Sequence, residues 1–373
     1  MLQYDNLYPK ICSIENLQLA HKMASKDKGH YKEIKEFNLD IENNLRIIQN
    51  LLISKEYSNI TYTHLIKNDK GKKRHLMKLS YFPHRIIQWA IMLQCEKVFV
   101  NYFCSHSCAS VKNRGTSKAI ILLQKYLYRY SLETTYCLKI DVKQFYQSID
   151  KDILYSLLSK KFIDKDLLWL FKTIIDSYPN KTGIPIGSYL SQYFANFYLT
   201  KFDYWLKQDK KIKYVIRYMD DIVILHHNKE FLHKLQKEIQ EYWKTNLKLI
   251  MKENYQVFPV TSRGVDFVGY RVFHTHTLLR TRNRNALRKK VKNIRQKIRN
   301  KQYINRNDFF SINSRIGFFK YCNHKGLFET YIQPYTNTLA NYYKNVLVSS
   351  KKKNKYKATK KYLIKLYSKK LNK

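Results

Sequence analysis

The sequence predicts an α+β chain in which helical segments surround a small antiparallel sheet. The central observation is the run Ile216–Leu225, where two adjacent acids, Asp220 and Asp221, lie between apolar residues of high β propensity. This pattern predicts two strands joined by a tight turn, with the acids at the tip. From Leu287 onward, apolar residues instead recur with the period of a helix.

A second strand-like segment ends in an acid. Asp141 follows the apolar run 137–140 and precedes a turn into a helix-like segment. If the two acid-bearing strands are sheet neighbours, Asp141 and Asp220 lie side by side. Adjacent carboxylates repel, and divalent cations relieve this repulsion because they prefer oxygen ligands. The pattern predicts a site for two magnesium ions about 4 Å apart, the arrangement used in phosphoryl transfer. The alternative for Asp220-Asp221 alone is a solvated turn.

The charge of the chain indicates a polyanionic partner. Its 373 residues have a formal net charge of +42, and 44% of them are hydrophobic, which is enough for a core. Nucleic acid is the expected partner, and an anionic membrane surface is the alternative. The 32 tyrosines and 19 phenylalanines favour nucleic acid because aromatic rings stack on bases. An AT-rich genome is another source of this composition.

The cysteines and the apolar segments bear on the compartment. Cys104, His106 and Cys108 have a spacing that suits zinc, but no second ligand pair follows them. We therefore expect all six cysteines to be reduced thiols in a cytoplasmic protein. The N-terminus does not resemble a signal peptide, and we expect no membrane span.

Two motifs resemble those of reverse transcriptases. Tyr218-Met219-Asp220-Asp221 resembles the polymerase signature, and the segment 141–148 resembles the other metal-binding motif. The resemblance implies a right-hand polymerase fold with an antiparallel palm sheet, helical fingers and a helical thumb. It implies that Asp141 and Asp220 bind two Mg²⁺ ions, with Mn²⁺ as an alternative. Asp221 completes the acidic cluster, and the metal-binding set also includes Val142. Tyr146 corresponds to the aromatic gate that excludes a 2′-hydroxyl.

Basic residues around a glycine turn predict a β-hairpin near residues 61–82. Such a cationic tip can close over an incoming triphosphate. By resemblance to the fingers hairpin, Arg74 contacts the triphosphate and Lys67 is its partner. The alternative is a solvated basic turn.

The segment 183–192 discriminates among reverse transcriptases. Most of them have glutamine where this chain has Ile186, whereas Ile186, Gly187 and Gln192 resemble the enzymes of diversity-generating retroelements and related bacterial defence enzymes. We expect these three residues to bind substrate. An apolar wall cannot make the hydrogen bond of glutamine, which predicts less strict base pairing. The alternative is a neutral substitution.

Lys252 is the candidate general acid, because residues 247–254 resemble the motif that supplies a lysine near the pyrophosphate leaving group. Lys248 is the alternative, since the segment contains several lysines.

Several residues are candidates for nucleic-acid binding. Arg114 precedes a helix in a polar, basic segment that suits template backbone contacts. Gly269 lies in a segment that resembles the primer grip, where glycine allows close approach of the backbone. The helix from Leu287 is apolar on one side and basic on the others, which suits a thumb along a duplex. Its candidate contacts are Arg288, Lys292, Arg295 and Arg299.

The expected organisation has four parts. They are N-terminal helices and fingers (1–135), a palm with inserted helices around 151–198 (136–275), a basic helical thumb (276–345) and a lysine-rich tail (346–373).

We expect a reverse transcriptase that makes cDNA, with error-prone synthesis in a diversity-generating retroelement. Its expected partners are a template or non-coding RNA, the cDNA, dNTPs, and a small accessory protein or a second copy of the chain. One alternative is a defence-associated reverse transcriptase that acts with a non-coding RNA. The other is a non-catalytic RNA-binding scaffold.

Overall fold

The computed structural model describes residues 3–69, 72–300, 302 and 306–335. Its elements fall into two compact units, Met1–Gly264 and Val265–Lys373. The predicted tail, 346–373, and the predicted thumb residues 336–345 lie outside the described residues. The unit boundary falls inside the segment predicted to be palm, and the fourfold organisation stays a prediction.

Helices and strands alternate along the described residues. The helices are α1 (Tyr8–Cys12), α2 (Ile14–Ser25), α3 (Lys32–Phe37), α4 (Ile41–Ile53), α5 (Ile86–Tyr102), α6 (Gly115–Arg129), α7 (Phe145–Ser148), α8 (Lys151–Ser159), α9 (Lys165–Asp176), α10 (Tyr189–Gln208), α11 (Lys229–Leu247), α12 (Val260–Arg263), α13 (Thr281–Arg299), α14 (Arg306–Ile316) and α15 (Lys325–Tyr331). The strands are β1 (Tyr62–Asp69), β2 (Lys72–Leu79), β3 (Tyr136–Ile140), β4 (Tyr214–Tyr218), β5 (Asp221–His226), β6 (Gln256–Pro259), β7 (Val265–Phe267), β8 (Tyr270–Val272) and β9 (Thr277–Leu279).

The first unit contains the sheet that carries the acids. Its order is β4-β5-β3-β6, and each neighbouring pair is antiparallel. Tyr218 pairs with Asp221, so Met219 and Asp220 form a two-residue turn between β4 and β5. Ile140 pairs with Ile222, which brings the end of β3 beside this turn. The predicted hairpin and the predicted strand neighbours are therefore confirmed.

Helices cover this sheet and form most of the core. In α10, the residues from Tyr193 to Thr200 are all buried. The ring of Phe99 on α5 lies 5.4 Å from that of Phe162 and 6.3 Å from that of Phe194, so aromatic side chains join α5 to α10. This packing fixes α10 against the sheet that it covers.

The N-terminal segment is helical as predicted, but its buried stripe differs from the expected one. In α4, Leu45, Ile48 and Leu52 are buried, whereas Ile47 and Ile53 are exposed. Ile47 and Ile53 lie on another face of the helix because a buried stripe follows spacings of three and four residues.

The second unit has a three-stranded sheet, β7-β8-β9, and helices α13 to α15. Leu287, Val291 and Ile294 of α13 are buried, as the apolar period predicted. Ile298, the last residue of the predicted stripe, is 37% exposed, because the stripe ends one turn earlier than expected.

Candidate active site

Two carboxylates meet where β3 ends and where β4 turns into β5. Asp141 immediately follows β3, and Asp220 is the second residue of the turn. Burial raises the pKa of Asp220 to about 7, and a hydrogen bond with Asp141 and the charge of Asp141 raise it further toward that value. At neutral pH the two groups therefore share a proton readily or attract a cation. The structure thus brings together two of the three predicted acids.

The third predicted acid has a different neighbour. Asp221 is the first residue of β5, and its Oδ1 lies 3.5 Å from Nζ of Lys139 on β3. Lys139 pairs with Val223, so Asp221 is its diagonal neighbour on one face of the sheet. The assignment of Asp221 to the metal cluster stays a prediction.

Lys252 lies beside Asp141, and Lys248 does not. The segment 250–252 runs antiparallel to 141–143, with bonds from the Lys252 amide to the Asp141 carbonyl (2.9 Å) and from the Lys143 amide to the Ile250 carbonyl (2.8 Å). The Lys252 ammonium donates to Oδ2 of Asp141. Lys248 instead donates to Asp150 at 2.7 Å. The geometry therefore favours Lys252 over Lys248 near the acids.

Val142 pairs with Met251 between those two bonds. A residue in this position makes no hydrogen bond to its partner. This pairing therefore leaves the carbonyl of Val142 available as an oxygen ligand.

Tyr146 lies near the acids. It follows Gln144, which has a left-handed backbone (φ +48°) that turns the chain from β3 into α7. Burial raises the pKa of the Tyr146 phenol, and the charge of Asp220 adds to this effect. The carbonyl of Tyr146 accepts a hydrogen bond from the Ile184 amide at 2.8 Å, which joins α7 to the segment 183–188.

The segment 183–188 also contacts β2. The Met77 amide donates to the carbonyl of Ile186 at 2.9 Å. Gly187 has φ +113°, and a Cβ there would lie 3.1 Å from the Met77 carbonyl oxygen. Glycine is therefore required for this close approach. The segment thus connects Tyr146 to the β1–β2 hairpin.

Gln192 lines a cavity of about 200 Å³ that begins where this segment enters α10. Its other lining residues include Lys28, Arg85, Trp89 and Tyr189. The substrate-binding assignments of Ile186, Gly187 and Gln192 stay predictions.

The predicted triphosphate-binding residues lie opposite each other on the hairpin of β1 and β2. The register pairs Lys67 directly with Arg74, and the side chain of Lys67 is exposed. The backbone therefore places both positions on the same face of the hairpin.

Some predicted nucleic-acid contacts also make internal contacts. Arg114 donates to the carbonyls of Cys104 (2.8 Å) and Ser107 (2.9 Å). A Cβ on Gly269 would meet Asn283 at 3.0 Å, so internal packing already requires this glycine. Arg114 and Gly269 stay predictions as nucleic-acid contacts.

On α13, Arg288 lies over the ring of Tyr331, and Arg295 donates to the Thr330 carbonyl at 3.3 Å. Lys292 and Arg299 are exposed. All four stay predictions as nucleic-acid contacts.

A buried polar network next to the turn was not predicted. Arg217 on β4 binds Asp203 and Asn196 on α10, and both Arg217 and Asp203 are fully buried. Burial raises the pKa of Asp203, but the Arg217 and His106 charges outweigh burial and hold it below its usual value. The available signal was one arginine inside the apolar run 215–225.

His106 and Asp203 also form a possible metal-binding cluster with Cys104, and their ligand atoms lie within 4.8 Å of one another. Both oxygens of Asp203 are already bound by Arg217. The guanidinium would repel a metal ion there, so these residues do not fit a metal. All six cysteines are free thiols.

The acids, their strand neighbours and the lysine beside them define a class of nucleotidyl-transfer site. Residues 65–272 match the family described as reverse transcriptase (RNA-dependent DNA polymerase). The chain belongs to this family, and membership confirms the predicted α+β right-hand polymerase fold.

Individual relatives are distant. A putative COX1/OXI3 intron 2 protein of Saccharomyces cerevisiae is 22% identical over 255 residues, which cover 50% of this chain and 29% of that protein. The chain thus spans less than a third of the length of this curated relative.

Two telomerase structures also match. Apo telomerase from Candida tropicalis, truncated from its C-terminal domain, is 13% identical, with 60% of this chain and 55% of that chain covered and a TM-score of 0.44. Telomerase from Candida albicans with a TWJ fragment of telomeric RNA is 11% identical, with 78% and 56% covered and a TM-score of 0.46. Among the described helices of the present chain, none is both long and apolar enough to cross a membrane.

Proposed function

We propose that this chain is an RNA-directed DNA polymerase that uses two divalent metal ions. The observation that carries the proposal is the pairing of Asp141 with Asp220 at the meeting point of two neighbouring strands. Two carboxylates held this close favour a bound cation, because a cation removes their mutual repulsion.

The oxygen donors at this site fit magnesium. Oδ1 of Asp141 is buried and has no hydrogen-bond partner among the described residues. Together with Asp220 and the carbonyl of Val142, it offers the hard oxygen ligands that Mg²⁺ prefers. Bound Mg²⁺ ions would activate the primer 3′-hydroxyl and neutralise the triphosphate. Manganese, which accepts the same ligands, is the alternative ion.

The neighbouring side chains have separate roles in this proposal. The Lys252 ammonium, held beside Asp141, donates a proton to the pyrophosphate leaving group. Lys67 and Arg74 bind the triphosphate from the hairpin of β1 and β2. The ring of Tyr146 excludes a 2′-hydroxyl, which selects dNTPs.

The charge supports RNA as the template. The net charge of +42 requires a polyanion, and exposed basic residues such as Lys292 and Arg299 lie along α13. Phosphate contacts of this kind bind nucleic acid independently of its sequence. The primer and the cDNA product bind by the same chemistry.

The biological role that we propose is error-prone cDNA synthesis in a diversity-generating retroelement, with a small accessory protein. Isoleucine at Ile186 supports it, because an apolar side chain cannot restrain the nascent pair by hydrogen bonding. The same residues also resemble defence-associated enzymes that act with a non-coding RNA. The neighbouring genes distinguish the two roles: a pair of variable repeats supports the retroelement, and a defence island supports the alternative.

The polymerase proposal is tested by primer extension on an RNA template with Mg²⁺. Asp141→Ala and Asp220→Ala should each reduce extension below detection and leave RNA affinity within about twofold, because phosphate contacts dominate binding. The matched control is Asp176→Ala, which removes a half-exposed carboxylate on α9. Full extension by either active-site variant would contradict the metal site, and no extension by the unmodified chain would favour the RNA-binding scaffold.

A further inference from the structure

A fully buried ion pair adjoins the turn that carries Asp220. The guanidinium of Arg217 on β4 donates to both carboxylate oxygens of Asp203 on α10, at 2.8 and 2.5 Å. Neither side chain is exposed. Taking two charges out of water is unfavourable, and a buried pair is therefore weak evidence of added stability. Another role for Arg217 has to be considered.

The remaining guanidinium nitrogen reaches the turn itself. Nη1 of Arg217 donates to Oδ1 of Asn196 at 3.0 Å and to the carbonyl of Met219 at 3.1 Å. Met219 precedes Asp220 and has φ +60°, a left-handed conformation that is unfavourable for a residue with a side chain. The bond from Arg217 stabilises this conformation because it fixes the Met219 carbonyl, which belongs to the same peptide as the Asp220 amide.

Two other elements hold Arg217 in place. Asn196 and Asp203 are two helical turns apart on α10, so they present adjacent groups on one face. Asn196 also donates to the Ala109 carbonyl at 2.9 Å. The Arg217 amide donates to the His106 carbonyl at 3.0 Å, and the Arg217 carbonyl accepts from the Cys108 amide at 2.9 Å. The guanidinium is therefore fixed through its main chain and its side chain.

We infer that Arg217 is a positioning residue for the metal site, because it links the rigid helix α10 to the peptide between Met219 and Asp220. This inference rests on the proposed function. A planar guanidinium can bind Asp203, Asn196 and Met219 at once, and its fixed geometry sets the angle of the peptide. An ammonium is a point charge and cannot make all three contacts from one position.

The main competing explanation is a metal ion bound by Cys104, His106 and Asp203. Such an ion would take the oxygens of Asp203 that Arg217 occupies. It would then release the guanidinium from α10. The positioning role therefore requires that the purified protein hold no metal at this cluster.

The test uses the full chain with Arg217→Lys, which keeps the buried charge and loses the fork. Mn²⁺ binding is measured by electron paramagnetic resonance without primer or nucleotide, so the readout does not depend on turnover. We expect Mn²⁺ affinity and kcat to fall about tenfold each, with the KM for dNTP within about twofold, since a hydrogen bond from a charged group is lost. Thermal unfolding checks that the variant is folded.

The matched control is His106→Leu. It removes the 3.2 Å contact between His106 and Asp203 but leaves every bond from Arg217 to α10 and the turn. We expect this variant to lose stability while Mn²⁺ affinity and kcat stay within about twofold of the unmodified chain. An equal loss of Mn²⁺ affinity in both variants would show that the network has only a structural role.

Two further outcomes decide the inference. Unchanged Mn²⁺ affinity and kcat in Arg217→Lys would overturn it, as would one equivalent of zinc that His106→Leu removes. If Arg217→Lys does not fold, Asn196→Ala removes the acceptor that orients Nη1, and unchanged Mn²⁺ affinity there would also overturn it. If the unmodified chain does not extend a primer, the polymerase proposal fails, while the Mn²⁺ comparison still tests Arg217.

Discussion

Replacement of Asp220 by Asn should stabilise the metal-free protein at pH 8 even though it abolishes polymerase activity. Burial, a hydrogen bond with Asp141 and the charge of Asp141 raise the pKa of Asp220 from 3.8 to about 7. A carboxyl group whose pKa is higher in the folded state favours folding at low pH, and this contribution is lost as pH rises through the folded pKa. Above pH 7 the folded protein holds an unfavourable charge that Asn does not carry.

The size of the effect follows from the shift. Each pKa unit corresponds to about 1.4 kcal/mol, so the full shift amounts to about 4 kcal/mol at pH 8. Asp220 is only partly buried, and solvent screening recovers part of this energy. We therefore expect the free energy of unfolding to rise by about 2 kcal/mol at pH 8, with little change at pH 4. For a unit of this size, that gain corresponds to a Tm increase of about 4–8 °C.

The assay is thermal unfolding in EDTA from pH 4 to pH 8. The matched control is Asp164→Asn, which alters a buried carboxylate that accepts backbone bonds from Leu7, Tyr8 and Leu167. Because an amide cannot accept all three bonds, this control should lower the Tm at every pH. Added Mg²⁺ should stabilise the unmodified chain more than Asp220→Asn. A Tm difference that does not grow with pH, or a less stable Asp220→Asn at pH 8, would refute the reasoning.

Two further predictions concern fidelity and RNA binding. Ile186→Gln should reduce misincorporation about fivefold on one RNA template, since a polar restraint contributes about 1 kcal/mol of discrimination; deep sequencing of the cDNA measures it, and equal, low error rates in both proteins would exclude the mutagenic role. RNA affinity should fall steeply with salt, with a log–log slope of about −4 or steeper for 6–10 phosphate contacts; a slope near zero in a binding titration would indicate a mainly apolar interface instead.

The sequence predicted the parts of the site that depend on local patterns. The strand run around Asp220 and the acid that ends the run before Asp141 each have a signature within ten residues. Their pairing followed because the two acids serve one site only as sheet neighbours. The apolar stripe of α13 was equally visible, since its period is that of a helix.

The missed parts depend on register and long-range contacts. Neighbouring residues along a strand point to opposite faces, so Asp220 and Asp221 need not face the same partner. Only the register of β3 against β5 shows that Asp221 lies near Lys139. The pairing of Arg217 with Asp203 joins a strand to a helix, and no periodicity in either element reports it.

The features that disfavour folding are concentrated in the hairpin that carries the proposed chemistry. Arg217 is a buried charge, Met219 has a left-handed backbone, and Asp220 has a raised pKa. Each is unfavourable by itself, and such features persist only where the surrounding structure fixes them. Here the buried strands β4 and β5 and helix α10 provide that support. Substitutions that relax these three residues should therefore stabilise the turn and impair metal binding, because both effects arise from the same constrained peptide.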